Sequence, residues 1–314
     1  MKKKKAGNTD LDMAPLVLGG NVFGWTADEK TSFRLLDMFA DNGFNCVDTA
    51  DSYSTWAPGN KGGESETIIG NWFKKSGRRK DILLITKVGW EITDEKRGLS
   101  KEYILEEVEA SLRRLQTDYI DLYFSHKDDP KTPQQETLEA FDQLIKQGKV
   151  RYIGASNFYK TRIDEAMNIS KEKKLYAYKV LQPKYNLYDR QFEIGNAEVA
   201  KKYNLGVITY SSLAGGFLSG KYKDESDFPK SVRGPGMKKY LDEKGMRILK
   251  TLHELSIKYE CSPAAVSLAW LIQNPLVTAP IASATTEEQL KELMQSPEIN
   301  LSEQDIVLLN KAGE

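Results

Sequence analysis

Val47-Asp48-Thr49-Ala50-Asp51-Ser52-Tyr53 is the stretch that decides the fold. An apolar run that begins at Phe44 ends there abruptly in an acid, and a tyrosine follows in a small polar turn. A buried strand reads this way when it delivers a carboxylate and a phenol to one rim of a barrel. The event recurs down the chain. Ile82-Leu83-Leu84-Ile85-Thr86 ends in Lys87, and Tyr119-Ile120-Asp121-Leu122-Tyr123-Phe124-Ser125 ends in His126. Asp48, Lys87 and His126 therefore stand at equal steps of 39 residues. Equal steps give each residue the same place in successive strand–helix units, and parallel strands closed into a barrel gather those places on one face.

The alternation continues in both directions. Residues 150–155, 180–182, 207–210 and 276–281 read as further strands, so that counting the strand ending at Asp48 as the second makes the last one the eighth. Helical signals lie between them. Thr26-Ala27-Asp28-Glu29 reads as a capping box before Phe33, Leu36 and Phe39. Residues 64–73 read as the next helix. Ser100 caps a helix whose face is Ile104, Val108, Leu112 and Leu115, and Thr132-Pro133-Gln134-Gln135 reads as a capping box with proline in the first turn. Residues 243–259 and 263–273 are the clearest later helices. Gly7-Asn8 marks a turn ahead of Leu16-Val17-Leu18, the pattern of a short hairpin before the barrel. The expectation is an α/β protein, a (β/α)8 TIM barrel, with residues 1–314 as one domain and a short helix over 301–314. Residues 211–239 form the one long irregular excursion, and a loop of that length in a compact domain is usually functional.

Composition narrows the function. The chain of 314 residues carries 45 basic and 45 acidic side chains, so no net field favours nucleic acid or an anionic membrane surface. No run approaches the ~18 apolar residues of a membrane span. Lys2, Lys3, Lys4 and Lys5 read as a solvated terminal tail, and no apolar segment follows them to make a signal peptide. Cys46 lies inside a strand pattern and reads as core. Two cysteines and two histidines supply few metal ligands, and no metal-binding spacing occurs. A cytoplasmic, metal-independent protein is expected.

Tyr53, Lys87, Asp48 and His126 make chemical sense together as a proton-delivery site. A free phenol, with a pKa of ~10, is a weak acid near neutrality, and a nearby ammonium favours its ionisation. An aspartate beside the lysine holds the ammonium charged and oriented, and a histidine can hydrogen-bond a carbonyl oxygen. Such a set suits reduction of C=O, in which oxygen gains a proton as carbon gains a hydride. Taken singly, each residue has an ordinary reading. Tyr53 is one of 15 tyrosines, Lys87 a solvated lysine, Asp48 a turn residue and His126 a structural histidine. Their joint occurrence at three consecutive strand ends carries the signal.

These residues make the sequence resemble the aldo-keto reductase family. The resemblance runs through Val47-Asp48-Thr49-Ala50 with Tyr53, through Thr86-Lys87, through the strand from Asp118 to His126, and through Gly154-Ala155-Ser156-Asn157-Phe158. It implies an eight-stranded barrel that binds an extended nicotinamide dinucleotide without a Rossmann domain, in keeping with the absence of Gly-x-Gly-x-x-Gly after a strand. It implies Tyr53 as general acid, tuned by Lys87 and Asp48, with His126 orienting a small-molecule carbonyl. It further implies that Ser156, Asn157 and Gln182 hydrogen-bond the carboxamide, that Tyr210 stacks on the nicotinamide, and that Ser211, Leu213 and Gly215 approach the pyrophosphate. Trp25, Trp56 and Trp90 lie near strand ends and are expected around the substrate mouth.

Two look-alikes fall away. Gly215-Gly216-Phe217-Leu218-Ser219-Gly220-Lys221-Tyr222 has Tyr222 where a phosphate-binding P-loop requires Ser or Thr, and Phe158 stands where a nucleophile elbow requires glycine. One departure from the family pattern concerns the cofactor. NADPH-using relatives often carry a lysine and an arginine after the last strand, where this chain has Ser283 and Gln289, with Thr285 between them and Glu287 and Glu288 close by. NADPH is expected, with NADH open as the alternative, and Lys221 and Arg233 of the excursion are the cations able to compensate. Two other readings are a class I aldolase with Lys87 as Schiff-base lysine and a cofactor-sensing regulatory subunit on the same barrel. The short terminal segments argue against the second.

Overall fold

The computed structural model describes residues 1–314. Ten strands are present. β1 (Lys4–Lys5) and β2 (Asp12–Met13) form an antiparallel pair, and the remaining eight close into a barrel. In chain order these are β3 (Val17–Gly19), β4 (Cys46–Asp48), β5 (Leu83–Val88), β6 (Ile120–Ser125), β7 (Val150–Ser156), β8 (Val180–Gln182), β9 (Gly206–Thr209) and β10 (Ala279–Ala282). Each pairs in parallel with its sequence neighbour, and β10 returns to β3. The (β/α)8 barrel expected from the strand-end pattern is the observed one.

Val17 and Leu18 open the first barrel strand, and a short hairpin precedes it, as the sequence pattern implied. Its residues Ala6, Leu11 and Met13 pack with Val17, Cys46, Ile85, Leu122, Phe124, Val180, Ile208 and Ala279 in the barrel interior. Lys4 is not the solvated tail residue expected from the sequence. Its ammonium donates to the carbonyl oxygens of Ile272 (2.7 Å) and Val277 (3.0 Å).

The outer layer is built from α1 (Glu29–Asp41), α2 (Glu64–Ser76), α3 (Lys101–Leu115), α4 (Gln134–Lys146), α5 (Lys160–Lys173), α6 (Gln191–Ile194), α7 (Asn196–Lys202), α8 (Glu243–Lys258), α9 (Pro263–Gln273), α10 (Glu287–Met294) and α11 (Glu303–Ala312). Ser100 caps α3 as expected, its side chain accepting from the Tyr103 amide. The α1 cap is Asp28, which accepts from Thr31, in place of the expected Thr26. Before α4, Pro133 occupies the cap position and Thr132 turns away to donate to Asp129. The excursion after β9 contains three short 3-10 turns, Ala214–Ser219, Glu225–Lys230 and Gly234–Tyr240. No helix is long and apolar enough to cross a membrane.

Gly70 shows how closely α2 and α3 approach. A Cβ added there would lie 2.0 Å from the Arg114 carbonyl oxygen and 2.8 Å from the Leu115 carbonyl carbon. Glycine in a helix interior ordinarily costs about 1 kcal/mol relative to alanine, so Gly→Ala normally stabilises. Here the sign reverses, because backbone cannot yield as a flexible side chain does. Gly70→Ala is expected to destabilise by about 2 kcal/mol, the usual scale of overpacking. Urea unfolding reads this as a lower midpoint at unchanged slope, and a gain in stability would contradict the close approach of the two helices.

Candidate active site

Register builds the site. β4 and β5 pair Asp48 with Ile85, two residues before Lys87. Residues two apart on a strand share a face, so Ile85 and Lys87 both point into the barrel, toward Asp48. The Lys87 ammonium is fully buried and donates three hydrogen bonds of 2.7 Å, to Asp48 Oδ2, to the Thr49 carbonyl and to the Tyr53 hydroxyl. All three of its protons are used. The Tyr53 hydroxyl donates in turn to Asp48 Oδ2 (3.0 Å). Asp48 is held from the far side as well, where Gln182 Nε2 donates to its Oδ1 (2.8 Å).

Burial lowers the Lys87 pKa more than the neighbouring Asp48 raises it. The Tyr53 phenol is pushed well above its ordinary value, first by burial and then by the negative Asp48 it bonds. The sequence reading expected the ammonium to lower the phenol. In the folded site burial and Asp48 outweigh it, and Tyr53 keeps its proton.

His126 lies close by, its ring 5.9 Å from that of Tyr53 and 5.0 Å from that of Trp90. Its Nδ1 is 3.4 Å from Ser52 Oγ. Burial, then the positive Lys87 and Lys127, hold the imidazole well below its usual pKa, so the ring is neutral near neutrality. His126, Tyr53, Ser52, Trp56 and Trp90 share a cavity of 280 Å³ with Asn21, Ser156, Asn157, Gln182 and Tyr210. Trp25 does not line it. It packs edge-on against Trp56 at 5.8 Å and carries the Arg233 guanidinium 5.1 Å above its ring.

The residues at the ends of β7, β8 and β9 form one hydrogen-bonded chain around the rim. Ser156 Oγ donates to the Gln182 carbonyl (2.9 Å), and Asn157 Nδ2 donates to the His126 carbonyl (2.8 Å) and to Ser156 Oγ (3.1 Å). The Tyr210 hydroxyl donates to Asn157 Oδ1 (2.7 Å). Asn157 adopts a positive φ of 56°, which asparagine tolerates better than most residues.

A second cavity of 370 Å³ runs from Asp48 and Tyr53 past Tyr210, Ser211, Leu213 and Gly215 to Ser283, Thr285 and Gln289. Lys221, Lys230 and Arg233 line it too. Lys230 is paired with Asp227 at 2.6 Å, whereas no carboxylate pairs with Lys221 or Arg233. Gly215 (φ 69°) and Gly216 (φ 106°) take the left-handed backbone that lets successive amides converge on an anion. At the far end, Ser283 donates to Asn21 Oδ1 (2.5 Å), and Gln289 Oε1 accepts from the Thr285 amide (2.9 Å) and hydroxyl (3.1 Å). Glu287 is answered by Arg34 at 2.7 Å and by its place at the start of α10. An elongated cleft with uncommitted cations and a glycine turn fits an extended dinucleotide.

Sequence reasoning did not single out Asn21, which lines both cavities, nor Lys230. Asn21 follows the end of β3, so the strand-end rule applied to the first strand finds it. Lys230 sits in irregular chain, where no periodicity assigns a direction.

Residues 15–314 match the Aldo/keto reductase family. The chain belongs to that family. It is similar to an uncharacterized oxidoreductase, YrpG, of Bacillus subtilis (strain 168), at 38% identity over 97% of this chain and 93% of that one. It is 33% identical to the aldo-keto reductase YhdN of the same organism, over 94% of this chain and 87% of the relative. Aldo-keto reductase AFTS1 of Alternaria alternata is 29% identical over 98% and 91% of the two chains. This aldo-keto reductase is thus an enzyme, an oxidoreductase acting on small-molecule carbonyls, from a family that generally uses nicotinamide cofactors.

The electrostatics of His126 can be read directly, because the reductase has two histidines. His126 is expected to titrate well below 6.5, and Lys87→Met, which removes a repelling charge, to raise it. The unfolded chain takes up this proton near pH ~6.5, so His126 lowers stability as pH falls through that value. Imidazole NMR of both proteins, with His253 assigned by substitution, checks the shift. An unmoved His126 would mean that Lys87 carries no charge beside it.

Proposed function

We propose that this reductase transfers a hydride from NADPH to an aldehyde or ketone and that Tyr53 protonates the carbonyl oxygen. The observation that carries the proposal is the Lys87 ammonium, which donates at once to Asp48 and to the Tyr53 hydroxyl at the floor of the His126 cavity. Bound reduced nicotinamide supplies the hydride. The protein supplies the proton and the geometry. Neutral His126 donates a hydrogen bond to the carbonyl and holds it toward Tyr53. Tyr53 holds its proton in the resting site and releases it as negative charge grows on the oxygen. The Lys87 ammonium, 2.7 Å from the phenol oxygen, then stabilises the phenolate. Asp48, anchored by Gln182, keeps that ammonium charged and aimed. Trp56 and Trp90 give the mouth flat apolar walls.

The same geometry weighs against the aldolase reading. A Schiff base requires a free amine with access to a carbonyl carbon, and Lys87 is fully buried with every proton committed. Tyr53→Phe preserves shape and deletes the transferable proton. It is expected to reduce carbonyl reduction by ~10²-fold or more while cofactor binding, read by fluorescence, is retained. Undiminished turnover would remove Tyr53 as donor, and a cofactor-sensing role would leave binding as the only activity of the parent protein.

NADPH is favoured by Arg233 and Lys221, which line the cleft with no acid partner, since an uncommitted guanidinium suits a phosphate. Burial lowers the Arg233 pKa, and an anion beside it would relieve that cost. Arg233→Ala is expected to raise KM for NADPH by about tenfold with little change for NADH. Gln289→Arg should lower KM for NADPH alone, by an amount that shrinks as salt rises. Steady-state kinetics with both cofactors checks the pair. Equal effects on the two cofactors would place neither residue at the 2′-phosphate.

A further inference from the structure

Behind Lys87, on the other side of β5, lies a second buried polar layer that the reaction described above does not use. Strand alternation makes it: Lys87 points into the barrel and Thr86 points outward, toward α2 and α3. Thr86 donates to Glu66 Oε1 (2.5 Å), and Arg114 holds Glu66 Oε2 at 2.7 Å together with Glu107 and Ser111. Tyr103, Glu107, Ser111 and Arg114 follow helical spacing on one face of α3. Tyr123, the β6 partner of Thr86, brings its hydroxyl to the same layer.

Asp51 enters this layer from the turn between Asp48 and Tyr53. It is 1% exposed, and neither carboxyl oxygen has a hydrogen-bond partner. Its amide donates to the Lys87 carbonyl at 3.2 Å, which ties its position to the lysine. The Tyr103 and Tyr123 hydroxyls are buried and unpartnered as well. The charged groups that face Asp51 are Glu66 on α2, Glu107 and Arg114 on α3, and Lys87 on β5. Asp48, Asp51, Glu66 and Glu107 are four acids against two cations, Lys87 and Arg114. Arg114 is committed to Glu66 and Glu107, and Lys87 to Asp48. Asp51 has no ion pair of its own and its oxygens accept no well-formed hydrogen bond; Arg114 and the neighbouring Ser52 amide offset its burial only in part, and a buried carboxylate in that position takes up a proton.

We propose that Asp51 is a positioning residue that works as a neutral carboxyl behind Lys87, leaving Asp48 as the one counter-charge of the ammonium that serves Tyr53. The proposal rests on the reductase reading for its kinetic consequence and on the buried layer for the protonation itself. Ionising Asp51 would place a second negative charge near Lys87 and oppose formation of the phenolate on Tyr53. Reduction would then decline at alkaline pH earlier than Tyr53 and Lys87 alone require. Burial and the negative Glu66 and Glu107 push the Asp51 carboxyl well above its ordinary value, in agreement with the geometry.

Infrared difference spectroscopy of the ligand-free protein against Asp51→Asn tests the protonation. A protonated-carboxyl band at neutral pH, shifted in D2O and missing from the variant, is expected, and its absence overturns the proposal. Should the variant fail to fold, wild type labelled with 13C-aspartate answers the same question, because one carboxyl should resonate as a neutral acid at neutral pH. Finding none overturns the proposal equally. For kinetics, Asp51→Asn should move the alkaline limb of kcat/KM upward by about one pH unit. A limb that stays in place overturns the coupling to Lys87. Failure of the reductase reading would show separately, as turnover undiminished in Tyr53→Phe, and would leave the infrared band where it is.

Discussion

A charge buried inside a barrel is the constraint on which the rest of this structure depends. Removing an ammonium from water costs several kcal/mol even after the protein relaxes, unless its protons and its charge are both satisfied. Lys87 meets the condition completely, with a carboxylate, a backbone carbonyl and a phenol around one nitrogen. Each partner imposes a demand on the fold. The carboxylate requires β4 beside β5 in a single register, and the carbonyl requires the chain to turn at Thr49. The phenol requires the next four residues to fold back over the rim. The ordinary work of burying a lysine thereby assembles the groups that proton transfer to a carbonyl needs.

That constraint spreads around the rim. Gln182 is 134 residues from Asp48 in sequence and bonds it directly, because β8 closes back toward β4 across the barrel mouth. Ser156, Asn157 and Tyr210 continue the chain from Gln182 to the loop after β9. Side chains locked by mutual hydrogen bonds need little reorganisation when a ligand arrives, which is the condition for electrostatic preorganisation. The cleft beyond them is built differently. Lys221 and Arg233 have no acid partner there, and a phosphate gains most beside cations that no carboxylate already holds.

Polar layers on both faces of one strand are unusual in a barrel wall, where outward residues normally meet apolar helix faces. In β5 the inward Lys87 and outward Thr86 each belong to a charged cluster, and the backbone between them is all that separates the two. Charge on one side is felt on the other, since little water intervenes to screen it. The acid-rich outer layer therefore bears on the ammonium that the inner layer holds.

Much of this was legible in the sequence. Apolar runs ending in Asp48, Lys87 and His126 at equal steps foretold parallel strands and a common rim, because a repeated strand–helix unit leaves its period in the chain. The residues that meet at the floor of the cavity could be named for the same reason. Ser100 was read correctly as a cap, but the cap of α1 was legible only to within two positions, since Thr26 and Asp28 are equally good acceptors and only the backbone decides between them. The hairpin and the first strand were legible as well, but Asn21, just past that strand's end, was passed over. The direction in which Tyr53 is shifted was not legible either. It depends on the balance of burial, Asp48 and Lys87 at distances near 3 Å, which composition does not record. Gln182 against Asp48, Arg233 over Trp25 and the unpartnered Asp51 belong to the tertiary structure alone. Local periodicity states which face a side chain occupies, and only closure of the barrel states what stands opposite it.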